Sequence, residues 1–372
     1  MTKTTTGSSL TAAVKGELQS KFDLNKFKDK KMLKSNVKFK EQRWIPFSKS
    51  LKEALSIPGI PMGHITLARG RSDTGKTTLL IETAIEAQKM NVLPVFIMTE
   101  MKWDFQHAKK MGFQVNEVVD EETGAIDYSG FFIYVDRSSL NTIEDVAHFI
   151  MDLLDEQKKG NLPYDLLFLW DSSGSIPCQM SVDQGKNNPM WNAGAMATQF
   201  GNFVNQKFPL SRKENYPYTN TFFVINKVGV QPPENVFSQP KMTNKGGDAL
   251  YWDASLVITF GNVTNSGTSK LKAVKNKKTV EFAKRTKIAI DKLHTDEGIA
   301  TKAVIIVTPH GFIDDSTKAI DDYKKLYSTQ WFTDAPGSGE ISIVEDTSEW
   351  EETRNISSIL LEEDMSNTTT TE

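Results

Sequence analysis

Eight residues constrain this chain more than any other stretch: Gly70-Arg71-Ser72-Asp73-Thr74-Gly75-Lys76-Thr77. The pattern G-x-x-x-x-G-K-T makes sense only between a strand and a helix. Two glycines permit the tight path, backbone N–H groups surround phosphates, lysine reaches the β/γ oxygens and threonine ligates magnesium. The helix N-terminus adds a favourable dipole. Here the pattern succeeds the apolar run "HITLA" and opens the helical run "KTTLLIETAIEAQKM", with Thr78 just inside it. A chance match in a glycine-containing turn would lack that context.

Beyond the loop the same alternation repeats. "VLPVFIMTE", "FFIYVD", "DLLFLWDSS" and "TFFVINKV" read as apolar strands. Helical segments near 103–111, over "TIEDVAHFIMDLLDEQKK" and near 191–207 lie between them. Later strands, "ASLVITF", "EFAKRTKIAIDKL" and "KAVIIVTP", read as partly hairpin-connected. Apolar strands alternating with helices predict an α/β fold, a mostly parallel sheet covered on both faces. Ligands of such sheets sit beyond the carboxyl ends of strands. The glycine loop, Glu100, Asp171 and Asn226 all fall at such ends.

Each of these carboxylates has a plain reading and a chemical one. Asp171 is placed to support magnesium, or to cap a helix. Glu100 is placed to polarise a water attacking the γ-phosphate, or is simply a strand-end glutamate. Asp104, Phe105 and His107 come next, on a helix where they either flank a nucleotide base or pack.

Two polar segments leave the same sheet edge, residues 174–190 and 228–247. Their length is unusual for plain connections. Met180, Met190, Val230 and Phe237 supply apolar tips, Lys186, Lys241 and Lys245 supply charge, and Gly246-Gly247 closes the second. Cations for phosphates and apolar groups for bases are what single-stranded nucleic acid requires. Plain insertion is the alternative.

Charge is uneven. The net value is −3, yet residues 15–53 hold twelve Lys/Arg against five Asp/Glu, and residues 270–292 hold nine against two. Residues 340–372 hold ten acids against Arg354. Lysine-rich stretches are commonly just solvated surface, but such asymmetry also suits a polyanion partner with an acidic tail as tethered competitor. The single cysteine, Cys178, excludes an internal disulfide and suits a reducing cytoplasm. No apolar run is long enough for a membrane span.

The ordered set resembles the RecA-type recombinases, phage UvsX proteins more closely than bacterial RecA. The resemblance rests on "VFIMTEMKWDFQHAKKMGF", "NKGGDALYWDAS" and the late "KIAIDKLHTDEGIATKAVIIVTPHGFID", and spans roughly residues 10–325. It implies a RecA-like P-loop ATPase core over 56–325, preceded by a basic docking lobe over 1–55 and followed by a C-terminal helix and flexible acidic tail over 326–372. It implies an ATP- and Mg²⁺-dependent protein that polymerises on single-stranded DNA and exchanges strands with homologous duplex. Single-strand-binding and mediator proteins would be further partners, and the compartment would be the cytoplasm, a host's if phage-encoded.

By position, the resemblance makes Glu100 the water-activating carboxylate and Asp171 the magnesium-side acid. Asp104 and His107 would lie beside adenine, where the family often has Tyr instead of His107. Asn226 and Lys227 would sense the γ-phosphate, with lysine where bacterial RecA has Gln. Lys284, with Arg285 or Lys287, would reach a neighbour's γ-phosphate. A hexameric helicase motor, a ring-forming ATP-driven regulator and a small-molecule kinase are the rivals. The short segment before the glycine loop, the basic loops and the lack of an acceptor lid respectively disfavour them.

Overall fold

The computed structural model describes residues 38–231, 241–263, 269–294, 302–332 and 341–344. Most of the proposed 1–55 lobe, Phe237 and the tail beyond Val344 lie outside the described residues. Lys38–Lys40 and Lys213–Asn215 belong to a small unit of their own, with a bridge from Phe39 to Lys213 and a Lys38–Glu214 ion pair at 3.5 Å. The other unit holds the sheet, its helices and the phosphate loop.

A short ribbon, β1 (Trp44–Pro46) with β2 (Gly59–Pro61), brackets helix α1 (Lys49–Leu55) and delivers the chain into β3 (Ile65–Gly70). Helix α2 (Lys76–Lys89) starts directly after the glycine loop and buries Leu79, Leu80, Ile81, Ala84 and Ala87. Strand β4 (Val92–Met98) is buried at every position, as a strand covered on both faces must be. Helix α3 (Phe105–Met111) begins at Asp104, whose side chain accepts from Gln106 N and His107 N, and ends at Gly112.

An unexpected hairpin, β5 (Asn116–Val119) and β6 (Ile126–Ser129), precedes β7 (Ile133–Asp136). Its residues are mostly exposed, so no strong apolar alternation marks it. Helix α4 (Ile143–Lys159) has a Thr142/Asp145 capping box and a left-handed Gly160 at its end, the two local signals that set its length. Strand β8 (Asp165–Asp171) is followed by a 3₁₀ turn and short helix α5 (Gln179–Asp183).

Helix α6 (Pro189–Met196) continues as a π-helical turn, Ala197–Val204, and α7 (Lys207–Leu210) leads to β9 (Thr221–Gln231). Beyond it come β10 (Lys241–Asn244), α8 (Ala249–Asp253), β11 (Leu256–Asn262), β12 (Lys270–Lys275) and β13 (Lys278–Leu293). The chain finishes with β14 (Lys302–Thr308), β15 (Gly311–Asp314), α9 (Thr317–Tyr327) and β16 (Ser342–Val344).

The sheet order is β15-β14-β13-β11-β3-β9-β8-β4-β7. From β11 to β7 all neighbours are parallel, and β13, β14 and β15 extend the sheet antiparallel. The expected mostly parallel sheet is therefore present. One face packs on α2, the other on α4 and the π-helical turn, each through its own apolar cluster.

On the second face four rings form a stack. Phe208–Phe222 centroids are 5.2 Å apart, Phe200–Phe222 5.9 Å and Trp170–Phe200 5.0 Å. Trp170 and Phe222 lie on β8 and β9. Fully buried aromatics of this kind are each worth about 3–5 kcal/mol against alanine, which keeps the ends of those two strands in place.

Candidate nucleotide site and its loops

Register, more than any single residue, builds the site. Gly70 of β3 is opposite Lys227 of β9, Ile225 is opposite Asp171 of β8, and Asp171 is opposite Met98 of β4. Glu100 stands two residues after Met98, and its N–H donates to Asp171 O at 3.2 Å. The carboxyl ends of three adjacent strands thus meet the glycine loop in one row.

The loop has the backbone its glycines predict. Gly70 sits at φ +151° and Gly75 at φ +98°. A Cβ on Gly70 would stand 2.3 Å from Phe260 O, and one on Gly75 2.8 Å from Val307 Cγ2. Both positions therefore exclude a side chain on space as well as angle.

Within the loop, Lys76 Nζ donates to Arg71 O at 2.5 Å and Thr74 Oγ1 donates to the same carbonyl at 2.8 Å. Burial lowers the Lys76 pKa, and Asp171 and Glu100 work against that fall. Ser72 and Asp73 complete the turn, Asp73 in the left-handed region at φ +59°. Thr78 is half-buried just inside α2, before the fully buried Leu79 and Leu80.

Thr77 Oγ1 donates to Asp171 Oδ2 at 2.9 Å. Burial pushes the Asp171 carboxyl up to about 6, Glu100 adding to the rise and Thr77 opposing it. A buried carboxyl raised in this way favours a cation beside it. The described residues hold no group of three or more His, Cys, Asp or Glu side chains placed to share a metal. Two oxygen donors side by side fit magnesium, which takes its remaining ligands from phosphate oxygens and water.

Glu100 has both oxygens engaged. Oε1 accepts from Ser172 Oγ, and Oε2 lies 3.0 Å from Lys227 Nζ. Burial works to raise its carboxyl, but the Ser172 hydroxyl and the Lys227 ammonium together outweigh it, so the group sits below its ordinary value and stays ionised. Sequence reasoning missed Ser172, although a serine directly after a strand-end aspartate is a usable signal. Thr99 supports it: Trp170 Nε1 donates to Thr99 Oγ1 at 3.0 Å, and that hydroxyl donates to Ser172 O at 2.9 Å.

The same strand end reaches the second polar segment. Lys227 O accepts from Lys245 N at 2.9 Å, and Asn226 Nδ2 donates to Lys245 O at 3.0 Å. Asn226 Oδ1 is buried without a partner among the described residues, 2.8 Å from where a Gly174 Cβ would stand. Asn226 therefore touches both polar segments.

Neither segment is wholly irregular. Residues 174–190 contain α5 and the first residues of α6, because Asn188 caps that helix and Pro189 suits its first turn. Residues 228–247 start as the end of β9 and return as β10, paired from Val228–Asn244 to Gln231–Lys241. Val230 and Lys241 lie on these paired strands. Met190 is 79% exposed and Met180 52%, so the first segment does present apolar side chains to solvent. Lys186, Lys245 and Gly246 line one cleft, and Gly247 packs against Ala193.

The adenine-side and trans-acting residues are distributed differently from one another. Asp104 is committed to capping α3. Burial holds His107 below its ordinary pKa against the pull of Asp104. His310 also lies low, through burial first, then Lys110 and His107, so the two imidazoles are near enough to sense each other. Phe105 packs: its ring stacks on Tyr128 at 4.6 Å.

Lys284 Nζ donates to Asp73 O of its own loop at 3.1 Å. Arg285 is buried, with Nε 2.8 Å from Asp315 Oδ1, which ties it inside the protomer. Lys287 is half-buried opposite Gly261.

Comparison with known proteins agrees with this architecture. Residues 26–139 match the RecA N-terminal domain. Protein RecA of Mesomycoplasma hyopneumoniae (strain J) is 26% identical over 270 residues, 69% of this chain and 68% of that protein. Protein RecA of Wigglesworthia glossinidia brevipalpis is 26% identical over 244 residues, 63% and 64% of the two chains. Protein RecA of Geobacter sulfurreducens is 31% identical over 107 residues, 28% and 32% of the two. These relatives are bacterial proteins. With the loop, the strand-end acids and the parallel sheet in the expected order, the chain is similar to the RecA-type recombinases in sequence and in architecture.

Proposed function

We propose that this chain is an ATP-dependent recombination protein that assembles on single-stranded DNA, pairs it with homologous duplex and exchanges strands, with DNA-stimulated ATP hydrolysis. One observation carries the reading: Glu100, the carboxylate placed to polarise water, is ion-paired to Lys227, whose own carbonyl holds Lys245 of the second polar segment. Nucleotide chemistry and a nucleic-acid-binding segment are thereby one hydrogen bond apart.

In this reading the loop from Gly70 to Thr78 holds ATP, Lys76 neutralises phosphate charge, and Thr77 with Asp171 holds magnesium, which supplies charge neutralisation at the phosphates. Glu100 orients the attacking water. Asn226 and Lys227 report the γ-phosphate. Asp104 and His107 border the adenine. Lys284 and Lys287 stabilise charge from the neighbouring protomer. Residues 174–190 and 228–247 grip the strand, the lobe over 1–55 docks the next protomer, and the tail over 326–372 moderates access to DNA. The cytoplasm is the compartment proposed, and a phage UvsX-like origin the branch. Among the described residues no helix is long and apolar enough to cross a membrane.

The test is ATP hydrolysis with and without single-stranded DNA, paired with strand exchange on homologous and heterologous duplexes. DNA should stimulate hydrolysis, Lys76→Ala should abolish it, and only homologous duplex should exchange. Hydrolysis indifferent to DNA would overturn the reading. Closed rings in place of filaments on single strands would favour a helicase motor.

A further inference from the structure

We infer that Arg137, outside both polar segments, is a further phosphate contact for the bound single strand. This rests on the DNA-binding reading and adds to it a residue from a separate part of the chain. A cleft of about 440 Å³ lies against both polar segments, with Arg137, Ser175, Lys186, Asn187, Asn192 and Lys245 in its wall. Its wall residues include three cations and no Asp or Glu.

Arg137 stands directly after the last residue of β7, the edge strand of the parallel sheet. The adjacent Asp136 carboxylate is occupied, accepting from Ser138 N at 2.8 Å and Ser138 Oγ at 2.6 Å. Arg137 lines the cleft, where its guanidinium Nη1 lies 3.5 Å from Ser175 O, at the outer limit of a hydrogen bond. Among the described residues, Arg137, Lys186 and Lys245 make no ion pair. Other acids near the first segment are engaged: Glu144 accepts from Gln179 N at 2.9 Å and Asp183 from Gln179 Nε2 at 2.7 Å.

Three cations with no counter-ion among the described residues, drawn from three separate segments onto one concave surface, are arranged for a polyanion. A planar guanidinium suits a phosphate, which it binds in bidentate fashion. The nucleotide phosphates have their own loop at Gly70–Thr77, so the strand backbone is the anion left for this cleft.

The experiment titrates a short oligothymidylate onto the full chain across a range of salt. One phosphate contact on a single strand contributes about 0.7 to the slope of log K against log salt, or about fivefold at about 0.1 M. Arg137→Ala should lose about fivefold in affinity there and about 0.7 in slope. Arg137→Lys should keep the slope and lose less affinity. Lys158→Ala, which removes the same charge from an exposed pair with Asp155 on α4, should match the unaltered chain. Normal binding with an unaltered slope in Arg137→Ala overturns this proposal alone, as does an equal loss in Lys158→Ala. Failure of the unaltered chain to bind any single strand overturns the DNA reading itself.

Discussion

Glu82 lies on α2, the helix that begins at Lys76, and its carboxylate ties that helix to two distant segments. It accepts from Ser48 Oγ at 2.9 Å and from Phe312 N at 2.8 Å. Burial pushes its pKa from 4.5 up to about 7, against the pull of both hydrogen bonds. The folded chain therefore holds this proton more tightly than the unfolded chain does. Between pH 4.5 and 7 the native state binds more protons, so stability falls as pH rises through that window. With those two values the loss is about 1 kcal/mol at pH 5 and about 3 kcal/mol at pH 8.

Glu82→Gln removes the titration while leaving an acceptor for Phe312 N and a donor for the Ser48 hydroxyl. Its stabilising effect should thus be about 2.5 kcal/mol greater at pH 8 than at pH 5. Denaturant unfolding followed by tryptophan fluorescence at the two pH values measures the difference. An effect of equal size at both, or destabilisation at pH 8, would refute the claim that burial holds the Glu82 carboxyl above its ordinary pKa in the folded chain.

The site itself yields two more expected outcomes. Lys227→Met removes the ammonium 3.0 Å from Glu100 Oε2, so burial should raise the Glu100 carboxyl and move the acidic limb of kcat/KM for ATP to higher pH; a limb that stays in place argues against the pair. Gly75→Ala must place a Cβ 2.8 Å from Val307 Cγ2 at φ +98°, and should cost about 1–3 kcal/mol of stability together with ATP binding, read by melting and nucleotide titration; a variant that melts and binds normally would show the loop to be softer than its geometry.

Much of the fold is legible in the sequence because its signals are local. The buried runs of β4 and β8, the Thr142/Asp145 box and Gly160 of α4, and the glycines of the phosphate loop each act within a few residues. Where signals are weak or compound, structure and sequence expectation part. The β5–β6 hairpin is mostly exposed and carries no core pattern. The segment near 191–207 looks like one helix but changes to a π-helical turn after Met196. The polar stretch after Val228 continues as strand because β10 returns to pair with it, which polarity alone does not announce. Helix α9, over Thr317–Tyr327, closes a third apolar cluster with β12 and β13 that is assembled from residues far apart in the chain.

The sequence by itself determined that a phosphate loop ends one strand of a parallel sheet, and that Asp171 ends another with Glu100 just beyond a third. Those statements need only periodicity and backbone sterics. Asn226, expected at a strand end, lies inside β9, which continues to Gln231. Tertiary structure alone decided who meets whom. Strand register sets Lys227 against Glu100, and the turn after Asp171 brings Ser172 to the same carboxylate. Pairing of β13 with its neighbours carries Arg285 inward to Asp315 while Lys284 stays at the loop. Packing also brings Arg137 to a cleft shared with Lys186 and Lys245. The reason is that the pairing of charges depends on distances of a few ångströms between strands brought together by non-local packing, and no spacing along the chain encodes those distances.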